Sequence, residues 1–460
     1  MPTDAPSDIH VHGPRKYWAV TALMCGAAVA TLDTAIANIA LPTIATDLQI
    51  SADRAVWIIN AYQLSMVAAL VPLATLGDRI GHRNIYVFGM VLFTGASLAC
   101  GLASTFSMLV AARMLQGVGA AGILGVVSAL LRLIFPPHQT GRAQGLNAMT
   151  VAIFFVIGPT LTSIILSFAG WPWLFLINIP LGVLTTALAM RVLPPNSCNT
   201  QRHTFDAVAA MLLAAMLSLT VFSLGELAHH ASPANVAMEI GVVVLCFVLL
   251  LRRQRGHPAP ILPVDLFRLP FFSLSMLTSI LSYAAQGMAF VALPFLFATK
   301  LGRSAVEIGF LFTPWPIFAA ITAPIAGYLC EKLSTAVLGS IGLLILCIGL
   351  ACTSQLNVGA DISDIAWPLA ICGAGFGFFQ SPNLKALAMS VPKERIGSAS
   401  GLIPTGRLLG QALGTALVAA HLASSIEHGA GIALWTASAL SGIASVVSFF
   451  RTRCPETSNL

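Results

Sequence analysis

The apolar residues of this chain neither alternate with polar ones, as in a half-buried strand, nor recur every third or fourth position along an otherwise polar helix. They run in near-continuous blocks, cut by short stretches that hold the charges, the Pro and Gly clusters and boundary Trp or Tyr residues. A bilayer core about 30 Å thick is crossed by about 20 helical residues at a rise of 1.5 Å each. The blocks fall at about 18–44, 55–76, 84–103, 107–132, 143–168, 174–194, 205–227, 235–252, 271–298, 304–328, 335–356, 365–389, 397–424 and 430–450. The expected architecture is all-α and polytopic, with fourteen transmembrane helices. An even number of spans places both termini on one side.

Composition agrees, since 57% of the 460 residues are hydrophobic and 9% are charged, where a soluble chain carries roughly 25% charge. Disordered segments are poor in apolar residues, so disorder is excluded as well. No block is left over for a large soluble domain. The polar stretch before residue 18 leads into an apolar run too long for a cleaved signal sequence, so a retained first span is expected. The nine cysteines form no C-x-x-C pair and suggest neither a metal cage nor a disulfide framework.

The net charge of +6 gains meaning once the charges are located. With the N-terminus inside, eighteen of the 23 Lys and Arg fall in inner loops, and only Arg54, Lys300 and Arg303 fall in outer ones. Arg113 and Arg407 lie inside spans. This bias follows the positive-inside rule, and a miscounted span scrambles it. The basic balance therefore reports orientation, and no domain, aromatic platform or groove-reading helix stands behind it to bind nucleic acid.

The chain also repeats itself. At an offset of 256, Gly117 falls on Gly373, Gly119 on Gly375, Leu131 on Leu387, Pro136 on Pro392, Gly141 on Gly397, Ala143 on Ala399, Gly145 on Gly401, Leu146 on Leu402 and Gly158 on Gly414. Spans 1–6 then repeat as spans 9–14, leaving spans 7 and 8 as an insert. The resulting plan is 6 + 2 + 6: a tail at 1–17, a six-helix bundle at 18–194, a two-helix insert at 195–252, a linker at 253–270, a second six-helix bundle at 271–450 and a tail at 451–460. Two such halves in the same orientation form a transporter plan, in which one half rocks against the other around a central site.

Several segments resemble one family. Leu32-Asp33-Thr34-Ala35-Ile36-Ala37-Asn38-Ile39-Ala40-Leu41-Pro42 resembles the first-helix signature of the fourteen-span drug:proton antiporters of the major facilitator superfamily. The loop Gly77-Asp78-Arg79-Ile80-Gly81-His82-Arg83 is similar to the superfamily's hallmark loop between helices 2 and 3. Arg113-Met114-Leu115-Gln116-Gly117-Val118-Gly119 resembles its helix-4 motif, Gly158-Pro159 the core of the helix-5 antiporter motif, and Trp171-Pro172-Trp173 with Phe175 and Asn178-Ile179-Pro180 the entry to helix 6. The resemblance implies the major facilitator fold in a bacterial cytoplasmic membrane with both termini cytoplasmic, multidrug efflux, and a proton gradient as the drive with no cofactor and no metal. The chain departs from the pattern at Ala74, Ala35 and Thr162-Ser163, and no acid falls in span 13, which leaves the proton number open.

Asp33 lies roughly 16 Å from the outer end of its span. An ionisable group at that depth costs at least ~2.5–3 kcal/mol and needs a partner, a wet cavity or a proton. It is read either as a carboxylate held by structural hydrogen bonds or as a site that takes a proton or a cationic substrate, but not both. Arg113, roughly 9 Å deep, reaches toward the backbone of span 1 or toward Asp33; the resemblance implies proton coupling, against a helix clamp as the plain reading. Arg407 is read as a clamp. The resemblance implies a conformational latch at Asp78, Arg79, Gly81 and Arg83, and a hinge at Gly158 and Pro159. Polar or aromatic residues within the spans are candidates for substrate contact: Asn38, Asn60, Tyr62, Gln63, Gln116, Tyr283, Gln286, Phe290 and Gln380, with Asp33 as the anionic anchor. Each alone also fits a helix-to-helix contact.

The expected function is export of lipophilic, cationic small molecules in exchange for protons, for which a monomer suffices. A dedicated exporter of an endogenous metabolite fits the same fold. A membrane enzyme does not fit, because H-E-x-x-H, G-x-S-x-G and the P-loop pattern do not occur.

Overall fold

The computed structural model describes residues 14–136, 139–195, 206–228, 233–254, 264–390, 396–425 and 428–453. All described regular structure is helical. Helix α1 spans Pro14–Asp47, α2 Ala52–Ile80, α3 His82–Gly101, α4 Phe106–Ile134 and α5 Thr140–Phe168. The sixth apolar block breaks into α6 (Pro172–Leu176) and α7 (Asn178–Val192), because Pro180 lacks the N–H that the Leu176 carbonyl needs. Helices α8 (Ala207–Ala228) and α9 (Pro233–Gln254) follow, then α10 (Pro270–Thr299). The tenth block breaks at Thr313-Pro314 into α11 (Ala305–Phe312) and α12 (Pro314–Leu329) for the same reason. The chain closes with α13 (Thr335–Ser354), α14 (Ile362–Met389), α15 (Ile396–Ser424) and α16 (Gly429–Phe450). Each of the fourteen apolar blocks thus becomes one helix or one broken helix. Eleven of these, among the described residues, are long and apolar enough to cross a membrane.

Helices α1–α7 pack mainly on one another, and so do α10–α16. Helices α8 and α9 form a hairpin, with α8 lying against both α2 and α15. Asp206 pins that hairpin by accepting from Arg253 Nε at 2.7 Å.

Glycines 256 residues apart do equivalent work. A Cβ on Gly117 meets the Tyr62 carbonyl at 2.3 Å and one on Gly373 the Trp315 carbonyl at 2.1 Å, so α4 approaches α2 as α14 approaches α12. A Cβ on Gly119 meets the Phe93 nitrogen at 2.6 Å and one on Gly375 the Leu346 nitrogen at 2.4 Å, pairing α4 with α3 and α14 with α13. Gly158 sits against Ala35, with a Cβ 2.6 Å from its side chain, and Gly414 against the Ala284 carbonyl at 2.1 Å. Small residues let helix backbones touch where a bilayer supplies little hydrophobic drive for association. Pro392 of the repeat lies outside the described residues, as do the loop bases Arg202, Arg255, Lys393 and Arg395.

Contacts between the two groups concentrate toward the end that carries the α1–α2 connection, here called the first end. One apolar cluster there joins Leu32, Ile36 and Ile59 to Phe290, Phe312, Leu346 and Leu434. Toward the other end, the second end, the groups keep largely separate cores: one includes Tyr86, Ile123 and Leu131, with Leu408 of α15 reaching into it, the other Phe272, Met276 and Leu387. Hydrogen bonds between the groups follow the same distribution. Ser163 Oγ donates to the Val306 carbonyl at 2.7 Å, Thr160 and Thr313 meet at 3.3 Å, and Thr415 Oγ1 lies against Asn60 Oδ1 and Gln63 Oε1.

Candidate functional site

A dense polar site in the apolar interior is built around Asp33. Its carboxylate projects from α1 and is 1% exposed, as is Arg113 of α4. Arg113 Nη1 donates to Asp33 Oδ2 at 2.5 Å and to Gln116 Oε1 at 2.6 Å. Gln116 Nε2 donates to Asp33 Oδ1 at 2.7 Å and to Ser97 Oγ of α3 at 2.9 Å. Asn178 Nδ2, from the first residue of α7, donates to the same Asp33 Oδ1 at 3.1 Å. Three helices of the first group, α1, α4 and α7, therefore meet at one carboxylate, and α3 joins them through Gln116.

Local sequence explains the convergence. Arg113 and Gln116 are three apart and share a face of α4, which Gly117 lets close onto α2. The break before Asn178 turns the start of α7 inward, so a short amide reaches the carboxylate. A buried ion pair has a desolvation cost of several kcal/mol per ion and is tolerated when further hydrogen bonds saturate it. Both carboxylate oxygens accept hydrogen bonds here, Oδ1 two and Oδ2 one. The Arg113 guanidinium is satisfied on its other side by the Ile58 carbonyl at 3.3 Å and lies 4.2 Å from the Tyr62 ring centre and 5.6 Å from that of Phe175. Of the two routes open to Arg113 in the sequence, approach to Asp33 is the one observed, and its backbone contact falls on α2 instead of α1.

The other candidates divide into separate places. Tyr62 and Gln116 are committed to the Asp33 cluster. Asn60 and Gln63 face α15, where Thr415 holds them. Gln286 accepts from Gln411 Nε2 at 3.2 Å. Tyr283 accepts from Gln380 Nε2 at 3.4 Å and stands edge-on to Phe376, while the half-buried Arg407 lies 5.4 Å from its ring. Phe290 packs against Phe155 of the first group and against Phe312 and Trp315 of the second, with ring centres 5.0 to 5.3 Å apart. Asn38 is buried, with its Oδ1 unpartnered among the described residues.

At the second end, Gly81 takes a φ of 100°, a conformation that favours glycine, between α2 and α3. Asp78 reaches His82 at 3.3 Å, and Arg83 donates to the Met190 carbonyl at the end of α7. Arg79 is exposed. All these contacts lie within the first group. Gly158 and Pro159 sit inside an unbroken α5 and serve two close approaches: Gly158 on Ala35, and the Pro159 carbonyl 2.6 Å from where a Gly309 Cβ stands.

Sequence reasoning did not assign Asn178, Ser97, Phe175 or Thr415 to any site. Asn178 left a signal, an amide inside an apolar block two residues before a proline. The others are small hydroxyls or a ring among many, and only packing distinguishes them.

The chain is 44% identical over 444 residues to the uncharacterized transporter YebQ of Escherichia coli (strain K12), covering 96% of this chain and 97% of the relative. It is 29% identical over 416 residues to the riboflavin transporter RibZ of Clostridioides difficile (strain 630), covering 90% of each. It is 28% identical over 391 residues to the multidrug export protein EmrB of Escherichia coli (strain K12), covering 84% of this chain and 76% of the relative. A bacterial homolog of the human lysosomal transporter Spinster, solved inward-facing and unoccupied, superposes with a TM-score of 0.70 at 15% identity, over 96% of this chain and 98% of that one, a likeness of fold. Residues 23–415 and 275–459 match the Major Facilitator Superfamily, and this chain belongs to that superfamily.

Proposed function

We propose that this transporter is a proton-coupled antiporter that exports lipophilic, cationic compounds from the cytoplasm by alternating access, with Asp33 and Arg113 as its coupling pair. The observation that carries the reading is the buried, hydrogen-bonded ion pair deep in the first group. A proton arriving at Asp33 cancels its attraction for Arg113 and loosens the ties that α1 makes to α4 and α7. Loss of the proton restores them. Such a site has two arrangements, as a coupled conformational change requires.

Several further readings support this one. The matched glycines favour two equivalent six-helix halves around the α8–α9 insert, the 6 + 2 + 6 plan. The shared core at the first end and largely separate cores at the second favour a state closed at the first end. With the positive-inside orientation that end is periplasmic, the gap opens to the cytoplasm, and both termini lie inside. Phe290, Tyr283, Gln286 and Gln380 border the division between the halves, where aromatic faces and amides suit lipophilic cations. The exported class rests on EmrB and on the aromatic character of this region. The chain needs no cofactor for this cycle, and one copy suffices.

A second reading has its own support. Both oxygens of Asp33 are engaged, so no unpaired anion anchors a cation, and one relative is named a riboflavin transporter. A dedicated exporter of an endogenous, neutral or anionic metabolite fits those two points. Inverted vesicles holding a preformed proton gradient separate the readings. Quaternary ammonium and dye cations are expected to dissipate the gradient, and Asp33→Asn to abolish the response with expression intact. A full response in the Asn variant rejects the coupling role of Asp33. Silence across the cation panel, with a response to flavins or other metabolites, rejects the cationic class.

A further inference from the structure

A cavity of about 550 Å³ lies at the second end of the α10–α16 group, away from the Asp33 cluster and from the division between the groups. It is walled by the α12–α13 connection, the end of α14 and the turn that follows α16. Its lining holds three bases, Lys332, Lys385 and Arg451, against one acid, Glu331. Arg451 is 1% exposed and fixed in place by Ser275 Oγ at 3.1 Å and Asn383 Oδ1 at 3.0 Å. Lys385 donates to the Cys330 carbonyl at 2.7 Å, and the Lys332 ammonium lies 5.1 Å from the Tyr328 ring centre. The N-terminus of the twenty-residue α13, capped by Ser334, opens into the same cavity and adds its partial positive charge.

The cavity is also amphipathic. Leu333 and Met389 line it and are 52% and 43% exposed. From its mouth an exposed apolar stripe runs along α13 through Val337, Ile341, Leu344 and Ile348, spaced by three or four residues and so on one face. A basic recess that continues into an apolar helix face matches a ligand with an anionic head and a hydrocarbon tail. Basic pockets between transmembrane helices recognise anionic headgroups in this way.

We propose that this recess is a binding site for an anionic phospholipid, with its phosphate held by Lys332 and Lys385 at the N-terminus of α13, the buried and hydrogen-bonded Arg451 adding positive charge from beneath, and an acyl chain laid along α13. The position of the cavity at the mouths of α12, α13, α14 and α16 means that an occupied site ties together the ends of four helices of one group. The lipid is then a positional element of that half and is not a transported compound. Soluble phosphate shares the headgroup chemistry but has nothing to place against Leu333 and the α13 stripe.

Native mass spectrometry of the full chain in detergent tests this with phosphatidylglycerol, phosphatidylcholine and inorganic phosphate as probes. Phosphatidylglycerol is expected to bind more tightly than phosphatidylcholine. Lys332→Gln is expected to weaken it roughly fivefold, and Lys332→Gln with Lys385→Gln roughly twenty-fold, at about one charge contact per lysine. Glu331→Gln removes the opposing charge and is expected to strengthen binding, a gain that misfolding does not produce. Phosphatidylcholine binding stays unchanged in all variants. Equal phosphatidylglycerol binding by wild type and the double variant overturns the site. Displacement of phosphatidylglycerol by millimolar inorganic phosphate that binds as tightly assigns the recess to a soluble anion and overturns the lipid.

Discussion

Asp33 shows how one carboxylate is made tolerable inside an apolar bundle. It has three donors from two neighbouring helices, and its cationic partner is in turn held by a carbonyl and two rings. Removing one member of a buried pair strands the other and costs about 3–5 kcal/mol, whereas removing both charges costs far less. Asp33→Asn and Arg113→Gln should therefore each lower the melting temperature in detergent, and the double variant should recover much of the loss. All three should lack proton-driven export. If the double variant also transports, the pair is a clamp and no more. Asn178→Leu keeps the pair but removes one hydrogen bond to a charged group, an expected loss of about 1.5–3 kcal/mol by thermal unfolding. The pair was legible from Asp33, Arg113 and Gln116 as the ionisable and amide residues deep in spans. Its geometry was not, since reach from a helix does not say which neighbouring helix stands within it.

At the scale of elements, broken helices and bare glycines set the shape. Gly309 shows the effect where the two groups meet, because a Cβ there comes 2.0 Å from Ser163 Oγ and 2.6 Å from the Pro159 carbonyl. The hydroxyl can rotate away but the carbonyl cannot, so Gly309→Ala should pry α5 from α11. Cysteine labelling of residues at the first end should rise in that variant, while Gly145→Ala and Gly327→Ala, each with nothing within 4 Å of the new Cβ, should leave it unchanged. Thr415→Val removes the bond to Asn60 and Gln63 across the same closure. Interhelical hydrogen bonds in membranes average about 0.6 kcal/mol, so roughly a threefold shift toward the open first end is expected in the same assay. The proline breaks were readable from the missing N–H of Pro180 and Pro314. The closeness of Gly309 to Ser163 was not, because the two are far apart in sequence and belong to different groups.

For the whole molecule, duplication of packing does not extend to chemistry. At the offset of 256 that aligns Gly117 with Gly373, Arg113 falls on Leu369 and Gln116 on Cys372. The Gly158–Ala35 and Gly414–Ala284 contacts likewise set Asp33 opposite Ser282. One half thus keeps the glycine contacts of the other but carries uncharged residues at the positions of its charged cluster. The charge distribution predicts orientation on the same scale. Reporters fused at the N-terminus, at residue 256 and at the C-terminus should all read cytoplasmic, and one inserted near residue 302 periplasmic. A split result rejects the fourteen-span topology.

The sequence by itself determined the solvent, the number and order of helical blocks, the places where proline breaks them and the acid and base that stand out within them. Those follow from residue type and short-range geometry, since a bilayer obliges each apolar block to satisfy its own backbone as a helix. Tertiary structure alone decided that Asn178 and Ser97 complete the Asp33 network and that Thr415 closes on Asn60. It likewise decided that the two groups share one core at the first end and keep largely separate ones at the second. These depend on which helix faces which across many intervening residues, and helix-to-helix contact in a membrane is governed by close packing of small residues instead of by a pattern along the chain.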